Sequence, residues 1–223
     1  MTKDKKCCSQ GCQDIDISLE AVAKKMVKRG FEVSVVSSLD DATKLVMQKL
    51  LPESGAKSVA FGGSVTIEKS NLVELLKGVS GLEVLDTYDR SIGNEAFMER
   101  RRQALLTDLF LCSANAVSAD GRLFYRDNFG NRTAAVQFGP KKVVLLVGKN
   151  KIAKDAHGAM TRVKNVASPL NCKRFDKKTP CVETGKCEDC ASPDRICSVT
   201  VIQERSFPKG RVHVVLIDDE IGF

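Results

Sequence analysis

Residues Val143 to Val147 are five consecutive aliphatic side chains. That is enough for one strand buried on both faces and far too few to cross a bilayer. A strand with no polar face needs cover on both sides, and the rest of the chain supplies it as alternating segments. Apolar residues recur at helical spacing through Leu19, Val22, Ala23, Met26 and Val27, begin after Ser18, and stop at Gly30. Phe31 to Val36 then reads as a strand, and a helix from Asp40 ends before Pro52. A buried strand over Ser58 to Phe61, a helix over about Val65 to Lys77 and a strand over Leu82 to Leu85 follow. The alternation continues with a helix over about Asn94 to Leu106 and a strand over Leu109 to Cys112. Asp120-Gly121, between Ala116-Val117 and Arg122 to Tyr125, is a hairpin signal. Gly130-Asn131-Arg132 marks a second turn ahead of Ala134 to Phe138. Lys151 to Val166 reads as a helix ended by Pro169, and strands over Ser198 to Gln203 and Val212 to Ile217 close the chain. Such alternation predicts an α/β fold with a mostly parallel sheet flanked by helices.

The chain has 223 residues, 43% of them hydrophobic, so a sizeable core is available to one large domain. Residues 1–17 read as a flexible N-terminal tail and 18–223 as the α/β domain, which includes a cysteine segment over 180–198. The tail carries Cys7, Cys8 and Cys12, a spacing that offers thiols for a metal but reads first as mobile chain. The N-terminus has no apolar stretch of signal-peptide type, which leads to the expectation of a cytoplasmic protein with reduced thiols and no membrane partner. The net charge is +7, with no Trp and two Tyr. A modest, dispersed positive charge without stacking aromatics argues against nucleic acid and for a small anionic substrate.

Four of the nine cysteines, Cys181, Cys187, Cys190 and Cys197, fall in the pattern C-x5-C-x2-C-x6-C. Thiolates at this density, in a segment broken by Pro180, Gly185 and Pro193, point to a shared metal centre that replaces a missing core. Only Cys187 and Cys190 form a tight pair, so the spacing leaves Zn²⁺ and an iron–sulfur cluster (4Fe-4S) both open. Four free thiols remain the plain alternative.

Anion-binding candidates lie just beyond several strand ends, where an open α/β sheet places its ligands. Gly62-Gly63-Ser64 follows one strand directly and brings backbone N–H groups to a helix start. Ser113 and Asn115 lie past the next strand, Asn131 and Arg132 sit in a glycine turn, and Lys149 and Asn150 follow the five-residue aliphatic run. An Arg in such a place can grip a carboxylate through two N–H groups. Each motif also has a purely structural reading as a turn. Asp108, Asp120 and Asp127 lie nearby, but spacing does not single out a catalytic base, and neither His157 nor His213 belongs to a triad or metal motif.

Taken in order, Phe61 to Ser64, Ser113 to Ala116 with Asp120-Gly121, Gly130 to Arg132, Gly139 to Val143, Gly148 to Ile152, Pro180 to Cys197 and Glu220 to Phe223 resemble the lactate-utilization (LUD) domain family, in its cysteine-bearing subgroup. The resemblance covers the chain from about residue 18 onward. It implies a fold similar to sugar isomerases and CoA transferases. It also implies a setting in lactate oxidation beside iron–sulfur redox partner proteins, and it favours iron–sulfur over zinc. The expectation is therefore a redox-linked accessory or enzyme acting on a small carboxylate. The alternative is a non-catalytic binding protein with a structural zinc. A homo-oligomer is compatible with either.

Overall fold

A computed structural model describes residues 15–223. Cys7, Cys8 and Cys12, and the tail reading that contained them, lie outside the described residues apart from 15–17.

The first half alternates as expected. Ser18 caps α1 (Leu19–Lys28) by accepting a hydrogen bond from the Ala21 N–H at 3.3 Å. The strand β1 (Glu32–Val36) leads to α2 (Leu39–Leu45), but the helical run that α2 begins does not stop before Pro52. A widened π turn over Val46–Leu50 carries the chain into α3 (Leu51–Ser54), and Gly55 ends it at φ 60°. The wide turn spares the hydrogen bond that Pro52 cannot make. Next come β2 (Ser58–Phe61), α4 (Val65–Lys69), α5 (Leu72–Lys77) and β3 (Glu83–Leu85). The helix expected over Val65 to Lys77 is thus two, broken at Asn71, whose φ is 56°.

After α6 (Asn94–Gln103) come β4 (Leu109–Cys112) and the hairpin of β5 (Ala116–Ser118) with β6 (Leu123–Asp127). Gly130 at φ 80° then starts α7 (Asn131–Gln137), so Asn131 and Arg132 form the first turn of a helix and not a free loop. The long aliphatic run lies in β7 (Lys142–Gly148). Lys149–Lys151 is a single 3-10 turn ahead of the short β8 (Ile152–Ala153), and Asp155 caps α8 (Ala156–Arg162). The helix read from Lys151 therefore begins later. It also runs on through a second π turn (Val163–Ala167) into α9 (Ser168–Arg174), with Pro169 inside it. A short α10 (Pro180–Thr184) opens the cysteine segment, and β9 (Val199–Gln203) and β10 (Val212–Ile217) follow.

Six strands form a wholly parallel sheet in the order β1-β10-β7-β4-β2-β3. The β7 side chains alternate between two cores. Val143, Leu145 and Val147 face α1, α7 and the second sheet, while Val144 and Leu146 face α2, α4 and α5. The second sheet, β8-β5-β6-β9, is mixed, and its outer residues Ala116 and Phe124 are covered by Ala159 and Val163 of α8 and the turn after it. Among the described residues no helix is long and apolar enough to cross a membrane.

Candidate functional site

A cavity of about 620 Å³ opens beyond the carboxyl ends of β2 and β4 and the end of β6. One wall is α6, another is the end of α9, and residues 193–196 of the cysteine segment close a third side. Its lining includes eight cationic side chains and two aspartates.

The floor is built around Lys151. Its side chain is only 2% exposed, and Nζ lies 3.1 Å from Thr66 Oγ1 and 2.9 Å from Ser113 Oγ. Among the described residues no carboxylate pairs with it. Burial, followed by repulsion from Arg162 and Arg132, lowers its pKa to about 7. Gly222, at φ 68°, packs over it: a Cβ there would stand 2.5 Å from Thr66 Oγ1 and 3.0 Å from Lys151 Nζ.

Arg132 lies beside it and is spoken for. Its Nε donates to Asp127 Oδ1 at 2.9 Å, Nη1 to the Ser113 carbonyl at 2.8 Å, and Nη2 to Asn115 Oδ1 at 2.8 Å and the Arg126 carbonyl at 3.0 Å. Of the five N–H donors of a guanidinium, one remains. The expected open carboxylate fork is instead a brace that ties α7 to the ends of β4 and β6. Asp127 completes it by accepting the Thr133 N–H at 2.9 Å.

The glycine motif divides in the same way. A Cβ on Gly62 would come within 2.8 Å of both Arg132 Cγ and Cys112 Cβ, whereas Gly63 has open space before it. Gly62 is required for the brace to pass, and Gly63 and Ser64 line the cavity. The Ser64 N–H already donates to Tyr88 Oη at 3.1 Å, and Ser64 Oγ caps α4. Of the backbone N–H groups expected to form an anion nest here, those of Gly62, which donates to the Leu111 carbonyl at 2.9 Å, and Ser64 are thus taken up by the protein itself.

Ser113, Asn115 and Asn131 also line the cavity, but Lys149 and Asn150 do not. Lys149 turns outward to Asp218 at 3.0 Å, and the Asn150 amide holds the chain at Ile221 and Gly222. Of the three aspartates, only Asp127 reaches the site. Asp108 lies at the opposite end of β4, accepting from the Lys141 ammonium and from the Lys57 and Ser58 N–H groups, which lower its pKa to about 2. Asp120 pairs with Arg29 and Arg122 at the hairpin. His157 and His213 line no part of the cavity.

The rim was not legible as a site. Arg101 stacks over the Phe97 ring at 4.2 Å and faces Phe129 at 5.7 Å, while Arg90 lies 5.5 Å from Phe97 and 5.4 Å from Phe175. Neither is paired with a carboxylate among the described residues. Arg126, 8% exposed, keeps a buried Nε without a partner among the described residues. Arg174 and Arg195 pair with Glu68 and Asp189, although Arg174, like Arg126, keeps a buried Nε without a partner among the described residues. Phe97 and Arg101 are four residues apart on α6, a spacing visible in the sequence.

The cysteines do not gather as the spacing led us to expect. Cys181 is buried and lies 3.3 Å from Thr179 Oγ1, with Cys172 of α9 as its thiol neighbour. Burial, then the nearby Cys181 and Cys197 thiols, raise the Cys172 pKa to about 11. Cys187 Sγ lies 3.8 Å from Arg126 Nη1. Among the described residues no three Cys, His, Asp or Glu side chains stand together as metal ligands. In this arrangement the quartet does not fit a resident metal or cluster.

The LUD domain family model matches residues 19–217, which is most of the chain. The chain belongs to the LUD-domain family. No curated protein matches this LUD domain. A solved structure similar to it is that of a DUF162 family protein from Deinococcus radiodurans, with 15% identity and a TM-score of 0.48, covering 89% of this chain and 95% of that one.

Proposed function

We propose that this LUD domain binds a small carboxylate, of the 2-hydroxy or 2-oxo acid type, on the cavity floor and serves lactate utilization as a redox-linked accessory or enzyme. One observation carries the reading: Lys151 is a buried amine held by two hydroxyls and, among the described residues, by no carboxylate. A buried cation without a counter-ion is costly, and a ligand carboxylate supplies one. When protonated, Lys151 has a third N–H for the ligand, and the Asp127–Arg132 brace keeps the surrounding strand ends fixed. Family membership agrees with a lactate-utilization setting. Electrons would pass to or from separate iron–sulfur proteins.

Calorimetric titration with L-lactate and pyruvate tests the reading. Wild-type protein is expected to bind one or both, and folded Lys151→Met protein neither. Equal affinity in the two proteins would overturn it.

Zn²⁺ or a 4Fe-4S cluster at Cys181, Cys187, Cys190 and Cys197 is a separate proposal, since those thiols would have to draw together to take it up. Metal analysis of anaerobically purified protein is the check. Stoichiometric metal that falls in Cys187→Ser supports the centre, and metal-free protein removes it.

A further inference from the structure

A three-carbon acid leaves most of a 620 Å³ cavity unfilled, whereas cavities of this order enclose ligands of drug size. The unfilled part is the rim, and its chemistry differs from that of the floor. Arg90 and Arg101 lie over phenylalanine rings, with Cζ 5.5 Å and 4.2 Å from the Phe97 centroid, and neither has a carboxylate partner among the described residues. Apart from one Arg101 N–H near Met98 Sδ at 3.9 Å, their N–H groups are left for other partners. Guanidinium edges match the oxygens of a phosphate. Burial, together with repulsion from Arg90, lowers the pKa of Arg101, so the two cations oppose each other until an anion lies between them. Arg126 adds a partnerless buried Nε further in. Beside these donors stands Phe129, 62% exposed although it lines the cavity. A large apolar ring left in water at the mouth of a cationic cavity is a platform for a flat ring.

We infer that the rim binds a nucleoside diphosphate, with its phosphates between Arg90, Arg101 and Arg126 and its base stacked on Phe129. The inference shares the cavity of the carboxylate reading but uses none of the floor residues, so the two can fail separately. Alternating donors and rings of this kind suit a ligand that is polyanionic at one end and planar at the other. A bare polyphosphate would leave Phe129 uncovered, and an uncharged nucleoside would leave the three guanidinium groups uncompensated.

The test is calorimetry with ADP, pyrophosphate, adenosine and L-lactate, each titrated separately into the wild-type protein. ADP is expected to bind at least about tenfold more tightly than either pyrophosphate or adenosine. Phe129→Ala, which removes an exposed side chain, is expected to weaken ADP about tenfold while pyrophosphate changes little. Arg101→Ala is expected to weaken ADP and pyrophosphate together. ADP binding no tighter than pyrophosphate, or an equal loss of both in Phe129→Ala, would overturn the inference. If L-lactate binds and ADP does not, the rim proposal falls and the floor stands. If ADP binds and L-lactate does not, the reverse holds.

Discussion

The floor and the rim of the cavity are both rich in cations, yet they hold them in opposite ways. On the floor, Arg132 reaches four protein acceptors, including Asp127, and Lys151 is fixed between two hydroxyls. On the rim, Arg90 and Arg101 have aromatic faces beneath them and no carboxylate partner among the described residues. For Arg132 against Arg90 and Arg101 the difference goes with burial. Arg132, shut away from water, has most of its donors satisfied by the protein and so becomes a structural part that fixes the geometry around it. Arg126, about as buried, keeps its Nε without a partner among the described residues. A stacked guanidinium near solvent is hydrated until a ligand arrives and stays available. Counting arginines in a cavity therefore does not count its binding groups.

Truncation breaks this contrast most sharply. Arg132→Ala leaves Asp127 buried without its cation and strips the cap from the β4 and β6 ends. It is expected to cost about 3–5 kcal/mol in urea unfolding. Arg101→Ala, on the rim, is expected to cost under about 1 kcal/mol. Similar losses at the two positions would erase the distinction between brace and binding group.

A smaller effect of opposite sign is expected at Lys151. The unfolded chain keeps this amine protonated up to its ordinary pKa of 10.5, whereas the folded protein gives up the proton near 7. The unfolded state thus holds more protons between those values, and this group makes stability rise with pH across that window. The penalty is fully present below about pH 7, where the buried amine must be charged. At neutral pH, Lys151→Met is expected to stabilise the protein by about 1–2 kcal/mol, since lost bonds to Thr66 and Ser113 offset part of the relief. The alkaline rise should be smaller in the variant. A destabilised variant would mean that Lys151 serves the fold and not a ligand.

The strands were legible in the sequence because their side chains alternate between two apolar cores. The boundaries expected for Ser58 to Phe61, Leu109 to Cys112 and Val212 to Ile217 match β2, β4 and β10. Helix ends were harder where a π turn absorbs a proline, as before Pro52 and Pro169. The site was half legible. Ser64, Ser113 and Asn115 fell in the right loops, because parallel strands bring their carboxyl ends together. What spacing could not convey was side-chain direction. Lys149 and Lys151 are two residues apart, yet one meets solvent and Asp218 while the other is buried against Thr66. Nor could spacing show that Cys172, outside the quartet, would be the thiol neighbour of Cys181.

The central claim is that the Lys151 ammonium holds the ligand's carboxylate. L-Lactate affinity measured from about pH 6 to about pH 9 tests it most directly, because that range crosses the amine's lowered pKa. Affinity should fall as pH rises through about 7, the pKa of the amine in the free protein, because only the charged amine pairs with the carboxylate. An affinity that stays constant across the range would contradict the account.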